Sequence, residues 1–164
     1  MEKATEEHRW LRQLVGEWTC EMEMRMGPDK PPEVVRGRDR VRAIGDFWIV
    51  SEGEHDVPGG EGSGNGNETQ MLMTLGYDPK HGGFCGTFVH AMSSYLWHYK
   101  GKLDSERNAL VLESEGPSMQ GDEGLLRYRD TMTIISEQER TFSSQWQGTD
   151  GNWNHFMLMR FRRA

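Results

Sequence analysis

The chain has 164 residues, including 20 glycines and 11 methionines, and a formal charge of −7 at neutral pH. A generic nucleic-acid binder presents a basic surface, so that class is excluded. No run of about 18 apolar residues is available for a membrane-spanning helix. Leucine, isoleucine and valine are scarce, while glycine, methionine and tryptophan are abundant, a mix that suits a twisted all-β fold better than a helix bundle. The length fits one domain over residues 1–164. Residues 1–7 are charged and lack an apolar signal core, which points to a cytoplasmic protein. Cys20 and Cys85 have no metal-ligand spacing and are expected to be buried free thiols, with no metal site.

Residues 5–15 predict a short helix, with Thr5 as N-cap, an apolar face of Trp10, Leu11, Leu14 and Val15, and Gly16 as its end. From Trp18 to Met26 the chain alternates strictly. Trp18, Cys20, Met22, Met24 and Met26 are apolar, whereas Thr19, Glu21, Glu23 and Arg25 are polar. That period of two marks a strand with one buried face. Residues 27–32 form a Gly/Pro-rich loop. Val34–Ile44 is a strand with an arginine ladder (Arg36, Arg38, Arg40, Arg42) on one face and Val35, Gly37, Asp39, Val41 and Ala43 on the other. Gly45-Asp46 is a hairpin turn, and Phe47–Asp56 is a strand whose two faces look alike. Residues 58–68 are a glycine-rich loop without the Lys-Ser/Thr ending of a phosphate loop.

Met71, Met73, Leu75 and Tyr77 then alternate, residues 78–83 turn, and Phe84, Gly86, Phe88, His90 and Met92 share a face. Tyr95, Trp97 and Tyr99 share another. After a turn at 104–108 come Leu110 and Leu112, a loop over 116–124, and a strand burying Leu126, Tyr128, Asp130, Met132 and Ile134. Phe142, Ser144 and Trp146 face inward on the next strand. The last strand presents Trp153, His155, Met157, Met159, Phe161 and Arg163 on one face. About ten short strands with regular turns predict a single antiparallel up-and-down β-barrel, closed by pairing of the first and last strands. Setting Trp18 opposite Arg163 places Cys20 opposite Phe161, Met22 opposite Met159 and Met24 opposite Met157, so apolar meets apolar; a one-residue slip would bury arginines.

A short helix, then Gly-x-Trp opening the first strand, then an arginine closing the last resembles the calycin superfamily of lipocalins and fatty-acid-binding proteins. That resemblance implies that Trp18 packs in the barrel floor with Arg163 across it. The strings His8–Leu11, Val15–Trp18, Thr74–Pro79, Leu96–Gly101 and Glu115–Pro117 resemble the DUF1579 family over nearly the whole chain. That family consists of small, mainly bacterial calycin-like proteins without established catalytic residues. The resemblance therefore implies a fold and leaves the function open.

The inward set predicts a cavity for a small apolar or amphipathic molecule. Met22, Met24, Met73, Met132, Met157 and Met159 supply an adaptable lining, and Phe88, Tyr95, Trp97, Tyr99, Tyr128 and Trp146 supply rings with polar tips. The bland alternative is that these side chains simply fill the barrel. Inward Asp130 with Tyr128 and a histidine (His90 or His155) would suit a barrel enzyme; a hydrogen-bonded polar cluster is the plainer account. No cofactor is expected. Haem through His155, as the resemblance to nitrobindin-type barrels implies, with His90 as the second candidate ligand, is a sharper alternative. The arginine ladder is first a solvated face balanced by neighbouring glutamates, with an anion site or a homodimer contact as alternatives.

Overall fold

Alternating apolar and polar residues can only be satisfied when every strand finds a neighbour on each side, and ten such strands do so by closing on themselves. The computed structural model describes residues 2–25, 27–57, 68–119, 121 and 124–164. After helix α1 (Glu6–Arg12) come β1 (Gly16–Met24), β2 (Glu33–Ile44), β3 (Trp48–Asp56), β4 (Glu68–Asp78) and β5 (Gly83–His90). Then follow β6 (Trp97–Asp104), β7 (Ala109–Pro117), β8 (Leu125–Ile134), β9 (Glu139–Gln147) and β10 (Trp153–Arg163). Each strand pairs antiparallel with its sequence neighbours, and β1 pairs with β10, giving a closed barrel. No helix among the described residues is long and apolar enough to cross a membrane. Most of the glycine-rich stretch read as a loop over 58–68 lies outside the described residues.

The closing register is the one the methionine pattern demands. Trp18 stands opposite Arg163, Cys20 opposite Phe161, Met22 opposite Met159 and Met24 opposite Met157. Helix α1 is shorter than the 5–15 span expected from its apolar spacing. Gln13 is its C-cap, and Leu14 and Val15 continue in tighter turns, bonding back to the carbonyls of Leu11 and Arg12. Its N-terminus is held by a capping box in which His8 takes the usual Glu position, accepting from the Thr5 amide at 3.0 Å. Through its other ring nitrogen His8 bonds the Tyr77 carbonyl at 3.0 Å, tying the helix to β4.

The helix closes one end of the barrel. Beneath it Leu11, Leu14, Trp18, Leu75, Leu110 and Leu112 are almost fully buried. A void of only about 10 Å³ remains among Leu14, Val41, Ile49, Ser51, Met73, Leu75, Met132 and Arg140, room for at most one water. The opposite end is the mouth, where the strands are joined by the longer connections. Several strand limits differ from the sequence reading by a residue or more, two of them for a visible reason. Gly116 belongs to β7 rather than to a loop, because the Trp97 ring lies where a Cβ would be, 2.0 Å from the ideal position. The β2–β3 turn takes three residues, 45–47, instead of two.

Trp18 is 2% exposed, donates its indole N–H to the Leu14 carbonyl at 2.9 Å, and is covered by the Arg163 guanidinium at 4.2 Å. Trp18→Ala is expected to destabilise the protein by roughly 3–5 kcal/mol, read from urea unfolding; an unchanged midpoint would contradict this placement.

Candidate functional site

The inner faces of the two halves differ. Toward the helix, inward side chains are buried; toward the mouth they point inward yet stay partly open to solvent. Met24, Phe88, His90, Trp97, Trp146, Phe156 and Met157 all have intermediate exposure. Four rings at this end form an edge-to-face chain, with Tyr95 on Trp97 at 5.2 Å, Trp97 on Tyr128 at 5.0 Å, and Tyr128 on Phe156 at 6.2 Å. Among the described residues the Trp97 indole N–H is buried without a hydrogen-bond partner. Tyr128 spends its hydroxyl on the Pro117 carbonyl at 2.7 Å, and Tyr95, just before β6, bonds the Glu115 carbonyl at 3.1 Å. His90 stacks on Phe88 at 5.7 Å, and burial lowers its pKa, keeping the imidazole neutral.

One layer deeper lies a polar cluster around a single carboxylate. Asp130 is buried, faces Ser144 across β8 and β9, and accepts a hydrogen bond from the Tyr99 hydroxyl at 2.6 Å. Burial pushes its pKa up to about 6, partly opposed by hydrogen bonds from Ser144 and Tyr99. The tyrosine that meets the acid is therefore Tyr99. Tyr128 faces the rim, and no histidine joins them in the bonds seen here. Met132, Met73, Met22 and Met159 are core residues below or beside this layer.

His155 corrects the sequence reading. An irregularity between His155 and Met157 inserts Phe156 as an extra residue in β10. The face therefore switches. Phe156 turns in, while His155 is exposed and bonds the Gln145 side chain at 2.7 Å. Trp153, expected inward, lies under the Arg129 guanidinium at 4.1 Å, on the β8 face opposite Tyr128 and Asp130. With His155 outside, a haem held as in nitrobindin-type barrels has no ligand at that position.

A second buried cluster was not visible in the spacing, because its members come from three adjacent strands. His55, fully buried, is bonded through Nε2 to Asp39 at 3.0 Å and through Nδ1 to the Cys20 sulfur at 3.4 Å. Arg140 approaches the other Asp39 oxygen at 3.5 Å and stacks over Phe161 at 3.7 Å. Desolvation pushes the Cys20 thiol up to about 12 and pulls Arg140 down to about 10, so at neutral pH the thiol is protonated and the guanidinium charged. Two glycines make room for the imidazole. A Cβ on Gly37 would lie 2.6 Å from His55 Nδ1, and one on Gly53 would lie 2.8 Å from both His55 Nε2 and Asp39 Oδ1. The Asp39 and Arg140 positions follow from strand alternation; His55 was missed because both faces of β3 carry polar residues.

Outside the barrel, a groove of about 830 Å³ crosses β1 to β5. Its two walls are the outward side chains Thr19, Arg38, Glu54 and Gln70, and Glu17, Arg40, Glu52 and Leu72. All four ladder arginines are paired there or beside it: Arg36 with Glu21, Arg38 with Glu54, Arg40 with Glu17 and Arg42 with Glu52. These exposed pairs leave no arginine of the ladder free for an anion, and each contributes little stability. Cys85 is half-buried and also reduced.

Asp130 has a folded-state pKa above its unfolded value, so its contribution to stability is full below about pH 4 and is lost as pH rises through about 6. Relative to Asp130→Asn, the parent protein should lose about 3 kcal/mol of stability between about pH 4 and pH 7. A flat difference in unfolding free energy across that range would show that Asp130 ionises normally. Gly53→Ala should cost roughly 1–3 kcal/mol by overpacking His55 and Asp39, measured by thermal or urea unfolding.

None of the proteins of curated function matches this chain. Two solved structures resemble it in fold. Rv2717c from M. tuberculosis aligns over 99% of this chain and 99% of its own at 13% identity, with a TM-score of 0.63. The S-type phycobiliprotein lyase CPES from Guillardia theta aligns over 99% of this chain and 94% of its own at 11% identity, with a TM-score of 0.60. Likeness at such identity is one of architecture. The family described as "Protein of unknown function (DUF1579)" matches residues 3–163, nearly the whole barrel and its helix, and the chain belongs to that family.

Proposed function

We propose that the protein binds one small apolar or amphipathic molecule in the mouth half of its barrel. The observation that carries this reading is the contrast between the two halves. Inward side chains are sealed near the helix but partly exposed at the mouth, so an apolar guest seated there would cover apolar surface that now meets solvent. The void under the helix is too small for a guest, which limits the site to the layer of Phe88, Trp97, Trp146, Phe156 and Met157. Met24 and Met157 add a lining that adapts to irregular shapes. Polar groups stand at two depths. The Trp97 N–H, without a partner among the described residues, can donate to a guest oxygen, and the Tyr99–Asp130 pair forms a polar floor below the rings. In Guillardia theta a barrel of similar architecture is a phycobiliprotein lyase, which is a precedent for the fold and not for this chain's guest.

Dodecanol is a suitable probe, titrated while following tryptophan fluorescence and amide and indole NMR signals. Saturable binding of one equivalent, with a Kd on the order of micromolar, should move the Trp97 indole resonance and leave Trp18 unchanged. No saturation, or shifts confined to the outer groove around Leu72 and Val89, would overturn the reading. Native mass spectrometry of protein purified gently from its own host would then identify the guest by its added mass.

A further inference from the structure

The hydrogen-bonding groups of the mouth half are mostly committed before a guest arrives. Tyr128 and Tyr95 donate their hydroxyls to the Pro117 and Glu115 carbonyls, and Tyr99 donates to Asp130. The Trp97 indole N–H is the exception, buried without a partner among the described residues. The benzo edge of that indole lies over Gly116, where a Cβ would be 2.0 Å from it, so the N–H edge is turned away from β7. A buried donor left empty costs more than a typical hydrogen bond returns, and an acceptor carried in by the guest would remove that cost.

Charge sets a second condition. Among the described residues the cations that face into the barrel, Arg140 and Arg163, lie on the helix side, one at Asp39 and the other across Trp18. No lysine or arginine among them shares the inward rows of the mouth half, and burial keeps His90 neutral. The charge that is present there is acidic. Glu33 stands opposite Met24 at the rim, and Asp130 lies beneath the rings. A carboxylate guest would meet like charge at either depth and find no counter-ion, a cost that a desolvated site enlarges. An ammonium guest would be drawn to the ring faces, yet it brings no acceptor to the Trp97 N–H, and Asp130 is already engaged by Tyr99 and Ser144. We propose, on the reading that the mouth half is a binding site, that its guest is an apolar molecule with an uncharged oxygen acceptor, such as a ketone or ester carbonyl, that accepts from the Trp97 indole N–H, and that the site discriminates against fatty carboxylates.

The test is titration of the unaltered protein with decan-2-one, decanoate and decylammonium, probes of equal chain length, at about pH 8, where Asp130 is ionised. Binding is followed by tryptophan fluorescence and by the indole NMR signals. Decan-2-one should bind at least about tenfold more tightly than either ion and move the Trp97 indole proton resonance downfield. Trp97→Phe should weaken the ketone about tenfold. Either ion bound as tightly as the ketone would overturn the head-group assignment and leave the mouth-half site standing. Ketone affinity indifferent to Trp97→Phe in a folded protein would do the same. Saturation by none of the probes would overturn both. Should the variant fail to fold, the unaltered protein decides: a downfield indole shift with the ketone supports the assignment, and an unmoved resonance refutes it.

Discussion

The structure depends on the seam where its two ends meet. A ten-stranded sheet that did not close would leave β1 and β10 as long, methionine-faced edges. Closure is secured where Arg163 crosses the barrel floor. Its guanidinium covers Trp18 and donates to the carbonyls of Val15 at 2.8 Å, Gln13 at 3.1 Å and Glu137 at 2.9 Å. One side chain thus caps the end of the helix, the start of the first strand and the β8–β9 turn. Gly16 is required at that crossing, because a Cβ there would sit 2.3 Å from the Arg163 guanidinium nitrogen.

From that seam the interior divides into a packed half and a mouth half. The packed half holds the Cys20–His55–Asp39–Arg140 chain, in which nearly every donor finds an acceptor and the cation meets the anion. Arg140 is the link between this chain and the floor, since its guanidinium also stacks over Trp18 at 4.8 Å. The mouth half carries the rings and the Tyr99–Asp130 pair. Burial beneath the aromatic walls raises the Asp130 pKa to about 6, against the hydrogen bonds from Ser144 and Tyr99.

The outer face obeys a different rule. Arginines on β2 alternate between glutamates of β1 and β3, so each of the four outward arginines has an anionic partner on a neighbouring strand. The same alternation sets the walls of the outer groove. Its floor is the backbone of the inward row Trp18, Asp39, Gly53, Met71 and His90.

Strand number, closure and the β1–β10 register were legible in the sequence, because a period of two has only two phases and one of them buries arginines. The inward placement of Tyr99, Asp130, Trp97 and Met157 follows from the same rule. Three features were decided by tertiary structure. The extra residue at Phe156 reversed the face of His155, since a bulge breaks the period without leaving a mark in the residue types. His55 was hidden in a strand with polar residues on both faces, and only the barrel's closure shows which face is buried. The meeting of Cys20, Asp39 and His55 is a property of neighbouring strands at matched depth. Alternation along one strand tells which way a side chain points, but only the register between strands tells what it meets.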